Sequence, residues 1–314
     1  MFDVGIDIFR HISSLASFAA HRAQRERADG AVLRELEAVP LALPAGLEVE
    51  WLGTAGYRLS YERHTLFIDP YLSRVPLRTV LRRERALPDA RTIERLLGEI
   101  PGKVVGVLVG HCHFDHALDV PAMAKQFRTC AYGSTSLVRL MELHGLGGRA
   151  VSVEPHRRYE LGPFLVSFAP SVHSKLVLGQ SVPFDGELTC EHLDALSPSA
   201  YKCGQVWGIR IEVAGTSFYH QGSANLLDEE VPRRGVDIFL AGIAGRRFTR
   251  DYWSRILRRL EPKVVVPSHF DDFFRPLGAP FGFSTNVNLA AFPDEIRKVS
   301  SDFTLASLPV PRMP

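Results

Sequence analysis

Near the start of the chain, Ile8, Ile12, Leu15 and Ala19 recur at helical spacing, with Arg10, His11, Ser13 and Ser14 on the other side. The pattern predicts a helix over residues 5–28 whose apolar stripe docks on the body of the protein. Lys and Arg do not flank the stripe as an interfacial anchor requires until Arg22, which favours packing over membrane attachment. After the Pro-containing stretch 40–46 the period shortens. Residues 48–52, 57–61 and 65–68 read as strands, separated by Gly53-Thr54-Ala55-Gly56 and Glu62-Arg63-His64.

Residues 104–109 form a continuous, β-branched apolar run of the kind a fully buried strand shows, and residues 119–127 return to helical spacing. Further strands are predicted at 129–132, 150–153, 164–168, 206–213, 217–220, 236–240 and 263–266, with a helix at 252–260. Mixed strands in two batches with helices after each suggest two sheets packed face to face under outer helices. We therefore expect an α/β (α+β) chain, with an N-terminal helical extension at 1–45 and one domain over 46–314.

Composition narrows the function classes. With 37 Lys and Arg against 35 Asp and Glu in 314 residues, the net charge of +2 gives no field of the kind nucleic-acid binding requires. Arg74, Arg78, Arg82, Arg83 and Arg85 form a local basic stretch, read as a solvated helix face or loop ahead of a receiver for an anionic substrate. Cys112, Cys130, Cys190 and Cys203 lack zinc-knuckle pairing and disulfide-scaffold density, so they read as free thiols in a reducing, cytoplasmic setting. No stretch approaches the roughly 18 apolar residues of a membrane span.

Chemistry enters at the end of the buried run, where the chain reads His111-Cys112-His113-Phe114-Asp115-His116. His111 and His113 alternate by two, so extended backbone points them the same way, while Asp115 and His116 turn to a neighbouring position. Imidazole nitrogen and carboxylate oxygen are zinc's ligands.

His-x-His-x-Asp-His after a buried strand resembles the signature of the metallo-β-lactamase superfamily, whose fold is a four-layer αββα sandwich with a metal site at one edge. Trp51-Leu52-Gly53-Thr54-Ala55-Gly56 and Phe67-Ile68-Asp69-Pro70 resemble the opening hairpins of the branch that holds ascorbate-6-phosphate lactonase and N-acylphosphatidylethanolamine-hydrolysing phospholipase D. The resemblance covers roughly residues 48–275. It implies that His111, His113 and His173 bind one metal and that Asp115, His116 and His269 bind a second. It also implies that Asp69 accepts a hydrogen bond from a motif imidazole and fixes its tautomer.

One departure matters. The branch has Tyr-His-x-Gly-Asp with a metal-bridging Asp, whereas here Tyr219-His220-Gln221-Gly222 runs into Ser223. A neutral hydroxyl is a poor ligand, which opens single-metal occupancy. Asp271 and Asp272 are candidates for the missing carboxylate, with a solvated or helix-capping role as the favoured reading.

The expected function is a metal-dependent hydrolase in which a metal-bound hydroxide attacks an ester, lactone or phosphodiester. Asp115 would be the catalytic residue that orients the nucleophile, and one or two Zn²⁺, with Mn²⁺ or Fe as alternatives, the cofactor. The partner is a small-molecule or lipid-like substrate, and no nucleic acid. Phe270, Phe273, Phe274, Phe281 and Phe283 either line its pocket or belong to the core. Two rivals remain open: an iron-containing redox protein of the same fold, and a catalytically weakened metal-binding protein, suggested by Ser223.

Overall fold

The early runs form a meander. In the computed structural model of the protein, which describes residues 21–177, 179–285 and 287–311, β1 (Glu48–Gly53), β2 (Gly56–Tyr61) and β3 (His64–Ile68) pair antiparallel in that order. Glu62 and Arg63 make the β2–β3 turn at positive φ (47° and 61°), the backbone hand that two-residue hairpins need. β4 (Lys103–Leu108), β5 (Ala131–Gly133) and β6 (Ala150–Ser152) then add in parallel, completing a six-stranded sheet in chain order. The parallel crossovers carry helices Leu77–Arg82, Ala90–Leu97, Val120–Gln126 and Thr135–Leu143.

Strand alternation sorts the side chains into two cores. Leu66, Ile68 and Leu108 enter the core between the sheets, whereas Phe67 and Val107 point the other way and meet Met123, Leu137 and Leu140 beneath the helices. Both faces of β4 are thus covered, which is why its sequence is apolar without a break.

The second sheet holds β7 (Arg158–Leu161), β8 (Phe164–Ser171), β9 (Val206–Val213), β10 (Thr216–Gln221), β11 (Ile238–Gly242), β12 (Val264–Ser268) and β13 (Thr304–Leu305), in reverse chain order across the sheet. β7 to β10 run antiparallel and β10 to β13 parallel. Helix Tyr252–Leu260 lays Trp253, Ile256, Leu257 and Leu260 on this sheet and closes a four-layer αββα sandwich.

The predicted N-terminal stripe at Ile8, Ile12, Leu15 and Ala19 lies outside the described residues. What is described is a helix, Arg22–Glu37, that continues well past residue 28. Leu33 and Leu36 join the inter-sheet core, Asp29 accepts from Ala290 N (2.7 Å), and Leu36 O accepts from Ser307 N (2.9 Å). No helix among the described residues is long and apolar enough to cross a membrane.

Because Leu36 is buried in the shared core, this helix should unfold with the sandwich. Leu36→Ala should cost about 2–5 kcal/mol in one cooperative transition. Chemical denaturation followed at two wavelengths checks this; an early transition confined to helical signal would show that the helix unfolds on its own.

Candidate metal centre

β4 delivers the chain to Gly110, and three bonds fix the loop that follows. Gly110 N donates to Asp69 Oδ1 (2.6 Å), Trp207 N to Gly110 O (2.7 Å), and Cys112 N to Cys203 O (2.8 Å). The backbone stays extended through His113 (φ −59°, ψ 152°), then turns into the short helix Phe114–Ala117. The change of period at His113 divides the motif, leaving His111 and His113 on extended backbone and Asp115 and His116 on the helix. His173 stands two residues past β8, and His269 directly after β12.

The six side chains fall into two groups, His111–His113–His173 and Asp115–His116–His269, in each of which the ligand atoms lie within 4.8 Å of one another. All six residues are buried. The groups adjoin, with 3.8 Å between the ring centroids of His111 and His116.

Hydrogen-bond partners fix the tautomers. His113 Nε2 lies 2.7 Å from Pro183 O and His173 Nδ1 lies 2.7 Å from Ser174 O; a carbonyl only accepts, so these nitrogens carry the protons. His113 Nδ1 and His173 Nε2 are left as lone pairs. His113 Nδ1 faces His111 Nε2 at 3.1 Å. His116 Nδ1 is held by Asp69 Oδ2 (2.9 Å), the role expected of Asp69, and His116 Nε2 lies 3.7 Å from Asp115 Oδ2. Asp115 Oδ2 also meets a second imidazole, His269 Nε2, at 3.2 Å.

Electrostatics favour open ligands. Burial, helped by neighbouring imidazoles, pushes His111 and His173 well below the ordinary histidine range and His113 down to about 4. For Asp115 burial acts upward, but His116 and His269 outweigh it and hold the carboxyl well below its usual range. Burial also opposes ionisation of Asp69, yet His116 and His220 bring it down to about 2. Neutral imidazoles at His111, His113 and His173 beside ionised Asp69 and Asp115, which push His116 upward, and the partnerless buried Nδ1 atoms of His111 and His269, make a donor set that fits zinc or another N/O-binding divalent metal.

Several residues depart from expectation. Asp271 is neither solvated nor a helix cap: it is buried, accepts from Thr54 N (2.8 Å) and pairs with Arg74 at 2.8 Å, so its carboxylate is committed away from the two groups. Asp272 accepts from Phe274 N (3.2 Å). Arg74 leaves the basic stretch altogether and is buried over the Tyr71 ring, whereas Arg78, Arg82, Arg83 and Arg85 are exposed. Ser223 Oγ accepts from Ser174 N (3.0 Å), bracing the loop that carries His173. The phenylalanines divide: Phe270 and Phe283 belong to the core, Phe273 and Phe274 wall a cavity of 360 Å³ above the histidines, and Phe281 is exposed. All four cysteines are free.

Sequence reasoning missed His220, whose Nε2 lies 3.0 Å from Asp69 Oδ2 and whose side chain is fully buried. The Tyr219-His220-Gln221-Gly222 segment held the signal but was read only for its bridging position. Gly222 is glycine because a Cβ there would come within 2.9 Å of Asp69 Oδ2. Also missed was the anchoring of His269, held at φ 60° by donation from its N to Thr54 O (2.7 Å).

An αββα sandwich with two abutting His/Asp groups at the strand ends defines the β-lactamase superfamily class. A family profile described as Beta-lactamase superfamily domain matches residues 48–269, and the chain belongs to that family. Among its relatives is a UPF0173 metal-dependent hydrolase of Cereibacter sphaeroides strain KD131, 30% identical over 236 residues, covering 72% of this chain and 87% of the relative. Another, from Anaeromyxobacter dehalogenans strain 2CP-C, is 30% identical over 256 residues and covers 77% and 81%. In fold the chain is similar to CmlA, a diiron β-hydroxylase from Streptomyces venezuelae (TM-score 0.54, 16% identity, 85% of this chain and 54% of that one). It is also similar to a protein of Parabacteroides distasonis (TM-score 0.50, 13% identity, 83% and 92%).

Two outcomes follow. His113 stays neutral in the folded chain down to about 4 but protonates near 6.5 when unfolded, so metal-free protein should lose stability as pH falls from 6.5 towards 4. Thermal melting across that range checks the sign, and a midpoint that rises on acidification would contradict it. Asp271→Ala strands the buried Arg74 charge and should cost about 3–5 kcal/mol by denaturant titration.

Proposed function

We propose that the chain is a metal-dependent hydrolase acting on an ester, a lactone or a phosphodiester. The observation that carries this reading is the pair of buried groups, His111–His113–His173 and Asp115–His116–His269, of which His113, Asp115, His173 and His269 line the 360 Å³ cavity. The names of the C. sphaeroides and A. dehalogenans relatives agree with it. The lactonase and phospholipase branch that the Trp51 and Phe67 segments resemble supports the choice of bonds.

A divalent metal bound to these groups would supply Lewis acidity, polarising a carbonyl or phosphoryl oxygen and acidifying water. Zinc suits the donor set best, with manganese or iron as alternatives. The chain's own residues do the rest. Asp115 is held ionised by His116 and His269, and it lines the cavity, so it accepts a hydrogen bond from the attacking water and aims it. A carboxyl kept so far below neutrality orients a proton better than it stores one. Asp69 keeps His116 turned inward through Nδ1, and Pro183 O does the same for His113. The cavity admits a small-molecule or lipid-like substrate, and four free cysteines suit a reducing, cytoplasmic setting.

Elemental analysis of purified protein should find zinc, manganese or iron at one or two per chain. Chelation should abolish hydrolysis and readdition restore it. Asp115→Asn should lower kcat/KM by about 10²–10⁴. Metal-loaded protein that cleaves no member of a panel of simple esters, lactones and phosphodiesters would overturn the reading.

A further inference from the structure

The cavity above the two groups is chemically lopsided. Its floor is His113, Asp115, His173 and His269, and these are the ionisable groups among its described lining residues. The walls are apolar, with Phe114, Phe184, Phe273 and Phe274 as the rings and Val80, Leu176 and Val287 between them; Ser284 and Thr285 are the hydroxyls. A cavity of 360 Å³ falls within the roughly 300–1,000 Å³ of small-molecule sites.

Arginines stand outside the described lining of the cavity. Arg74 is locked to Asp271 at 2.8 Å and Arg246 to Glu295 at 2.6 Å, while Arg22 and Arg275 line the adjoining pocket, paired with Glu26 and Asp272. A carboxylate or phosphate on the part of the substrate seated between these walls would give up its hydration without a cationic partner. An apolar group there gains the full benefit of leaving water. The described walls supply no Lys or Arg, so only the groups at the floor could face the charged oxygens of a phosphodiester, and the part of the substrate held between the walls meets none.

Resting on the hydrolase reading above, we propose that the substrate presents a neutral, apolar acyl or aryl group to this cavity, which makes the chain an esterase or lactonase for hydrophobic acyl compounds. Water adds to the acyl carbon, the bond from that carbon to the leaving oxygen breaks, and the proton released from water passes to the leaving alcohol. Phe184, Phe273, Phe274 and Leu176 set the preference, by surrounding the acyl group as it leaves water.

The test is a chain-length series on zinc-loaded, full-length protein with p-nitrophenyl acetate, butyrate and hexanoate. A fully buried methylene is worth a factor of about four, so kcat/KM should climb by up to that factor per carbon. The monoester of adipic acid, as long as hexanoate but ending in a carboxylate, should fall at least about tenfold below hexanoate. Leu176→Trp, which narrows the cavity, should flatten the ratio of hexanoate to acetate. Equal kcat/KM for acetate and hexanoate in the wild type, preference for the adipate monoester, or faster cleavage of bis-p-nitrophenyl phosphate than of hexanoate would each overturn the proposal, whatever becomes of the variant. Should no ester, lactone or phosphodiester be cleaved, the hydrolase reading fails, and binding alone decides the cavity's chemistry. Equilibrium dialysis should then show uptake of N-hexylacetamide that N-ethylacetamide does not match, and equal or no uptake of the two amides rejects the proposal.

Discussion

The centre hangs on one buried carboxylate. Asp69 closes β3 of the first sheet, accepts from Gly110 N through one oxygen, and holds both His116 Nδ1 and His220 Nε2 with the other. Gly110 opens the loop that carries His111 and His113 from the same sheet, whereas His220 belongs to β10 of the second. A single side chain thus sets the loop's path, the orientation of one ligand and the docking of one sheet on the other. Its own fully buried charge is tolerable only because imidazoles surround it.

The same reasoning explains the balance of charge around the two groups. Asp69 and Asp115 are both ionised and buried, while His111, His113 and His173 are held neutral by burial and by one another. Protons are unwelcome at those three nitrogens, and lone pairs converge where they would have gone. With Asp271 bound to Arg74 and Ser223 bound to Ser174, no further carboxylate among the described residues joins the groups, so any cation there is compensated chiefly by Asp115.

Most of the sandwich was legible because its strands obey simple periods. β4 is apolar throughout since both faces are covered, and β9 and helix Tyr252–Leu260 have the limits their patterns imply. Some elements escaped notice: β7 alternates two exposed positions with an intermediate one, and helix Thr135–Leu143 buries only Leu137, Leu140 and Met141 as apolar positions, with Ser136 beside them. At the site, the six candidate residues could be chosen from spacing and resemblance, because each follows a strand. The roles of Arg74, Asp271 and Thr54 could not, since they depend on contacts between residues some two hundred positions apart in the chain.

Those distant contacts have a consequence for any attempt to remodel the protein. His269 takes its unusual backbone conformation from Thr54 O, and Thr54 is itself pinned by Asp271 and by Trp51 Nε1 (3.0 Å). The first hairpin and His269 therefore form one mechanical part. A library that varies residues 53–56 also varies the position of His269, however carefully the histidine is preserved. The cavity wall at Leu176 and Phe184, by contrast, belongs to the long connection between β8 and β9, where side chains can be exchanged for a new substrate without disturbing that hinge of the centre.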